Sequence, residues 1–296
     1  MVQNTDKKNI VIIGADGFIG TNLYHYLTLR GYNTAGSYYN NREIKTPGTF
    51  FMDLANPNTY APAFSSKGAY YVFCNNFGSI DFCRSHPTET RAINVDAVKL
   101  FLKSVKESGG IPFYLSSNMV FSGAKPDYVE TDTVCPITEY GRQKATMEEM
   151  IQKTFNEFFI IRMTKVYGTD PTDKSLFSSW YQSWKNDQKI SAICDSFIAP
   201  IYIKDVIKII ELLIVNKQFG IFHLSGPEIK NYFEFATEFA TFLNKPSKLI
   251  ERVSASSLDL LEKRPLYNSL STQKIETALP GISFTKASDV FCNYSN

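Results

Sequence analysis

The sequence predicts an α/β protein: a doubly wound parallel sheet with a smaller C-terminal α/β lobe. Through the first half, short apolar runs alternate with longer helical patterns, as βαβ units require. A glycine-rich turn follows the first apolar run, and the pattern changes character after Gly168. At 296 residues the chain can hold one large domain or two smaller ones around a well-buried core.

Ile10-Val-Ile-Ile13 is wholly apolar, as a strand covered on both faces must be. A helix should start near Phe18, with Ile19, Leu23 and Leu27 four apart on one face, and close at Arg30-Gly31. Residues 34–38 read as the second strand, Phe51-Met-Asp53-Leu54 as a strand end, and 69–74 as the next strand. A helix over 92–107 stops at Gly109-Gly110, and strands follow at 112–116 and 158–163. Beyond Gly168 come an aromatic-rich helical stretch (Phe177, Trp180, Tyr181, Trp184), a segment over 193–200, a helix over 203–215, a strand at 221–224 and a helix over 232–243.

Composition removes several classes of function. A hydrophobic content of 44% excludes a disordered chain. Lys plus Arg number 31 against 29 for Asp plus Glu, a net charge of +2, which argues against nucleic-acid binding through bulk charge. His25, His86 and His223 lie too far apart to suggest a metal cluster. The cysteines, at 74, 83, 135, 194 and 292, form no C-x-x-C pair and read as reduced thiols. The polar start and the short apolar run behind it do not resemble a signal peptide. The most apolar stretch, 206–215, is interrupted by Lys208 and Glu211 and falls short of the ~20 residues of a membrane helix. It reads as core or as the surface of a homodimer. The expectation is a soluble, cytoplasmic protein with neither nucleic-acid nor membrane partners.

Gly14-Ala-Asp16-Gly17-Phe18-Ile19-Gly20 joins the first strand to its helix, where a dinucleotide pyrophosphate would bind. The first glycine permits the tight turn, the second lets backbone approach phosphate, and the third lets helix and strand pack closely. The helix N-terminus adds free N–H groups and partial positive charge. The spacing is G-x-x-G-x-x-G rather than the commoner G-x-G-x-x-G. NAD-preferring sites carry an acidic residue at the end of the second strand; here Gly36-Ser37-Tyr-Tyr-Asn-Asn-Arg42 has no carboxylate before Glu43. A hydroxyl, two amides and Arg42 suit a 2′-phosphate, which favours NADP(H), with NAD(H) as the second option. Asp53, with Leu54, is placed to accept from the adenine amino group. Residues 1–165 therefore read as an NAD(P)-binding Rossmann-type domain. Residues 166–296 read mainly as a substrate-binding domain, with the 203–216 helix packing back on the first.

Tyr140-Gly-Arg-Gln-Lys144 places a phenol and an ammonium four apart, on one face of a helix. A second Tyr-x-x-x-Lys, Tyr181 to Lys185, lies between tryptophans and reads as packing. What distinguishes Tyr140 is Ser117, which ends a strand of the parallel sheet 23 residues earlier. The chemistry this suits is carbonyl reduction. Tyr140 donates the proton, Lys144 favours the phenolate and bonds the nicotinamide ribose, and Ser117 bonds the carbonyl oxygen. Asn94, on the helix before that strand, either holds a water or a backbone carbonyl or serves structure alone.

These residues resemble the extended short-chain dehydrogenase/reductase superfamily. More narrowly, they resemble the dTDP-4-dehydrorhamnose reductase family of nucleotide-sugar 4-keto reductases. Leu115-Ser-Ser-Asn-Met-Val-Phe-Ser-Gly123 is similar to that family's S-T-D-Y-V-F-x-G. The likeness continues through Glu130-Thr-Asp132, Pro136, Tyr140-Gly, Ile161-Arg-Met-Thr-Lys-Val-Tyr-Gly168, Asp195-Ser-Phe-Ile-Ala-Pro200 and Arg264-Pro-Leu-Tyr-Asn-Ser-Leu270. The resemblance implies a nucleotide-diphospho-sugar substrate gripped by the second lobe and a role in polysaccharide precursor synthesis. It implies catalytic roles for Ser117, Tyr140 and Lys144, a cofactor contact at Asn75, and substrate contacts at Asn118, Met119, Val120, Phe121, Lys165, Pro200 and Arg264. The chain departs from the family pattern at Asn118, Met119, Lys165 and Phe73-Cys-Asn-Asn76, which stand for Asp, Tyr, Trp and an alanine-rich turn. Two alternatives stay open: an epimerase or dehydratase holding NAD, and a non-catalytic NADP-binding regulatory protein.

Overall fold

A computed structural model describes residues 8–40, 46–75 and 78–294. The chain divides into two compact units, each assembled from separated segments. Residues 1–116, 138–161 and 209–222 form the first unit; 117–137, 162–208 and 223–296 form the second. Residues 209–222, which include most of the helix expected to pack back, fall in the first unit. The chain passes into the second unit near the C-terminal ends of successive sheet strands, at 116/117, 161/162 and 222/223. Segments leaving a parallel sheet at that edge, rather than one contiguous stretch, make up the second unit.

The first unit is built on a seven-stranded sheet. Its strands are β1 (Asn9–Ile13), β2 (Asn33–Tyr38), β3 (Thr49–Phe51), β4 (Tyr70–Phe73), β5 (Ile111–Ser117), β6 (Phe159–Met163) and the strand Gly220–Leu224. From one edge the order is Gly220–Leu224, β6, β5, β4, β1, β2, β3. β1 pairs in parallel with both β2 and β4, β2 with β3, and β4 with β5. The order thus runs outward from β1 to β3 and restarts at β4 on the other side. Ligands of such sheets bind at this switch point, beyond the carboxyl ends of β1 and β4.

Ile10 to Ile13 are all buried, as a strand covered on both faces demands. Helix α1 (Phe18–Leu29) lays Leu23 and Leu27 inward. Two short helices, α2 (Ile80–Ser85) and α3 (Pro87–Arg91), precede a π-helical stretch, Ala92–Ala97, and α4 (Val98–Glu107). The helix expected over 92–107 is therefore α-helical only in its second part. On the α4 side, Phe101 meets Tyr60 edge-on at 4.8 Å and Phe73 at 5.9 Å. β3 ends at Phe51, short of the expected strand end at Leu54, because Asp53 forms a turn: its Oδ1 accepts from Ala55 N at 2.9 Å.

The second unit packs the helices Leu176–Lys185 and Tyr232–Phe242 with short strand pairs, among them Ile190–Ile193 beside Ile250–Val253. Asn231 and Glu234 cap the second helix reciprocally, each side chain taking the other's backbone N–H. Phe239 sits at the centre, 5.5 Å from Phe177, 5.6 Å from Trp184 and 4.6 Å from Phe291. Tyr181 packs on Tyr294 at 5.4 Å, so its Tyr-x-x-x-Lys motif is structural. Among the described residues, no helix is long and apolar enough to cross a membrane.

The helix Ile203–Asn216 buries Val206, Ile210, Leu213 and Ile214 completely, which makes its apolar stretch core rather than surface. Its Glu211 is buried and takes three donors of the first unit: Tyr26 Oη at 2.6 Å, Tyr32 Oη at 2.8 Å and Arg30 Nε at 2.5 Å. Burial, reinforced by the carboxylate, pushes both phenols up to about 12, so they remain donors. Replacing Arg30 with Ala should cost about 3–5 kcal/mol in urea unfolding, because it leaves the buried Glu211 carboxylate without a counter-charge. Glu211→Ala should cost less, about 1–3 kcal/mol, because it leaves two phenol donors unpaired and a half-exposed guanidinium that water can reach.

Candidate active site

The glycine turn shows three different constraints. Gly14 has φ +83°, and a Cβ there would stand 3.0 Å from the backbone of Asn75, which follows β4. Gly20 lies against β1's end so closely that a Cβ would come 2.0 Å from Gly14 O. Gly17 differs: φ is −87°, and a Cβ would meet nothing nearer than Gly14 O at 3.5 Å. Among the described residues nothing therefore requires a glycine at 17, whereas a ligand resting on the turn would. Gly17 caps α1 without a side-chain bond, and the first turn of α1, led by Phe18 and Ile19, carries no acid. This is an anion-compatible helix start.

Several residues expected to touch cofactor hold the turn. Ser37, at the end of β2, accepts from Gly14 N through Oγ at 3.0 Å, and its carbonyl accepts from Ala15 N at 2.7 Å. Asp16 Oδ2 accepts from Tyr39 N at 3.0 Å and Asn40 N at 3.2 Å, fastening the segment after β2. Leu54 is buried, and Arg42 and Asn76 lie outside the described residues. Asn75 offers the most direct sign of a ligand: its Oδ1 is buried without a hydrogen-bond partner among the described residues, beside Gly14. An orphaned acceptor, an uncapped helix start and a sterically unneeded glycine together fit a dinucleotide.

Helix α5 (Glu139–Thr154) presents the phenol and the ammonium. Thr138 caps it by accepting from Gly141 N at 3.1 Å. Tyr140 is half-buried in the first turn, and Lys144 is 3% exposed one turn on. Lys144 Nζ lies 5.7 Å from the Tyr140 ring centre and 4.7 Å from that of Tyr114, and donates to Leu115 O at 2.7 Å. Burial draws the ammonium down to about 8 from the ordinary 10.5, against the opposing pull of Glu148. Between them on the helix, Gln143 accepts from Asn94 Nδ2 at 2.9 Å and donates to Thr90 Oγ1 at 3.0 Å. Asn94 thus braces α5 from the π-helical stretch. Gln143, Thr90, Ser116 and Glu148 were not singled out from sequence; a carboxylate four residues after Lys144 was the available signal for Glu148.

In the second unit, Ser117 Oγ donates to Asn118 Oδ1 and accepts from Met119 N, both at 3.2 Å. Asn118 Nδ2 donates to the carbonyl and to Oδ1 of Asn268, each at 3.1 Å, so Asn118 ties the segment after β5 to the 264–270 loop. An aspartate there could not donate. Val120 and Phe121 are core rather than ligand-facing as they stand: both are at most 1% exposed, and Phe121 stacks on Tyr128 at 4.3 Å. Pro200 is buried against Gly226, whereas Met119 and Arg264 are half-buried and Lys165 is exposed. Among the described residues, no group of three or more His, Cys, Asp or Glu is placed to hold a metal ion.

A family profile described as "RmlD substrate binding domain" matches residues 8–287. The chain belongs to the RmlD family. Among curated relatives of this RmlD-family protein is mouse methionine adenosyltransferase 2 subunit beta, 24% identical over 282 residues (93% of this chain, 83% of the relative). The Bacillus subtilis spore coat polysaccharide biosynthesis protein SpsK is 26% identical over 272 residues, covering 91% of each chain. Among solved structures, the Bacillus anthracis dTDP-4-dehydrorhamnose reductase in complex with NADP superposes with a TM-score of 0.84 at 21% identity, covering 97% of this chain and 98% of that one. That likeness shows the fold.

Substitutions separate the two later glycines. Gly17→Ala should fold at a cost no greater than about 1 kcal/mol while losing NADPH affinity by fluorescence titration. Gly20→Ala should lose stability and binding together. Lys144 also gives a pH signature. The unfolded chain keeps the lysine proton up to about 10.5 and the folded chain only to about 8, so burial of the charge costs stability below pH 8. That cost fades as pH rises through this window. The stability of wild type relative to Lys144→Met, followed by urea unfolding, should therefore rise between about pH 8 and pH 10.5.

Proposed function

We propose that this protein is an NADPH-dependent reductase of a nucleotide-activated 4-keto-6-deoxy sugar, working in the cytoplasm in the synthesis of polysaccharide precursors. The observation that carries the reading is the Tyr140–Lys144 pair on one face of α5, with the ammonium buried 5.7 Å from the phenol ring. The named relatives support the substrate class and the cofactor: SpsK is a polysaccharide biosynthesis protein, and the B. anthracis dTDP-4-dehydrorhamnose reductase holds NADP.

Gly14, Gly17 and the start of α1 would hold the cofactor's pyrophosphate, Asn75 would contact it, and Lys144 would bond the nicotinamide ribose. NADPH, when bound, supplies the hydride to the sugar's carbonyl carbon. Tyr140 gives its phenolic proton to the carbonyl oxygen as negative charge grows there, which completes the alcohol. Lys144, as a nearby cation, stabilises the phenolate left behind. Ser117 donates to the same oxygen, for which its hydroxyl must turn away from Asn118 Oδ1. Lys165 and Arg264 are the cations assigned to the substrate diphosphate.

A second reading rests on the relative that is a subunit of methionine adenosyltransferase: a non-catalytic NADP-binding role. Purified protein should oxidise NADPH with at least one of the dTDP-, UDP-, GDP- or CDP-4-keto sugars. Tyr140→Phe should lower that turnover by about 100-fold or more and leave NADPH affinity nearly unchanged. NADPH binding with every sugar inert would favour the regulatory role.

A further inference from the structure

Lys144 and Glu148 stand one turn apart on α5, 3% and 2% exposed. They reach successive residues of β5: Lys144 Nζ donates to Leu115 O at 2.7 Å, and Ser116 Oγ donates to Glu148 Oε1 at 2.5 Å. We propose that Glu148 is a positioning residue for Lys144: it fastens α5 to the end of β5 through Ser116 and supplies the buried counter-charge that the ammonium needs.

A carboxylate buried this deeply is costly unless charge and hydrogen bonds answer it. The Ser116 hydroxyl is one bond, and the ammonium on the same helix face is the charge. The titratable groups near Lys144 come from its own helix, β5, the end of β4 and α2. They are Tyr140 and Glu148 on its own helix, the Tyr114 ring from β5, Cys74 after β4 and Cys83 on α2. Burial pushes the Cys74 thiol up to about 12 and the Tyr114 phenol well above its ordinary range, so both are neutral at working pH. Glu148 is the one carboxylate of this set, and it is the largest influence opposing the burial that draws Lys144 down. Removing its charge should let Lys144 lose its proton at lower pH, while removing Ser116 should leave that charge in place.

The turnover readout rests on the reductase reading; NADPH affinity does not depend on the sugar. Both should be measured from pH 6 to 9 in wild type, Glu148→Gln, Glu148→Asp and Ser116→Ala. In wild type both should fall with a midpoint at about 8. Glu148→Gln should move that midpoint down by about one pH unit, so that activity drops about threefold at pH 7.5 and returns nearly to wild type at pH 6. Ser116→Ala and Glu148→Asp should keep the wild-type midpoint, whatever they do to absolute affinity. A Glu148→Gln midpoint equal to wild type would overturn the proposal. If Glu148→Gln does not fold, Glu148→Met gives the same test: a lowered midpoint supports the proposal and an unmoved one overturns it. A displaced NADPH-binding midpoint with every 4-keto sugar inert would sink the reductase reading and leave the role of Glu148 standing.

Discussion

One buried charge organises the first unit's site. Lys144 has almost no contact with water, yet the proposed reaction needs it cationic beside the Tyr140 phenol. Desolvation works against that charge, so the surroundings have to restore what water would have given. The Leu115 carbonyl restores a hydrogen bond and Glu148 restores a counter-ion. The bracing of Gln143 by Asn94 and Thr90 keeps the helix that carries the charge from shifting against its neighbours. The helix is thus fixed along its length by polar contacts whose geometry tolerates little error.

The glycine turn solves the opposite problem, keeping side chains out. Gly14 and Gly20 are demanded by the protein's own backbone, Gly14 facing Asn75 and Gly20 facing Gly14. Gly17 is demanded by nothing among the described residues. Three glycines of one motif therefore divide into two that build the turn and one that leaves room above it. Ser37 and Asp16 stabilise the same turn from β2's end, a task for which a hydroxyl and a carboxylate suffice without reaching a ligand.

What was legible in the sequence was whatever leaves a local trace. The apolar run at Ile10, the glycine spacing and the four-residue step from Tyr140 to Lys144 are imposed by backbone geometry within a few residues, so they can be read from order alone. The π-helical stretch around Asn94 left no such mark, because its side chain is engaged by Gln143, 49 positions away. The Asn118–Asn268 tie spans 150 positions and is likewise invisible to spacing. Val120 and Phe121 sit in a motif whose neighbours carry chemistry, yet their apolar character decides their place in the interior. Motif membership says where the chain goes; burial says which side chains are left to meet a ligand.

The crossings at 116/117, 161/162 and 222/223, in the later parts of three sheet strands, carry the chain repeatedly from one compact body to the other. Neither body corresponds to a stretch of gene that could be cut out, fused or traded with a cousin as a cassette. New sugar preferences in such an architecture must arise by altering individual side chains and loops in place. A chimaera spliced anywhere between residues 118 and 221 would inherit parts of two incomplete interiors.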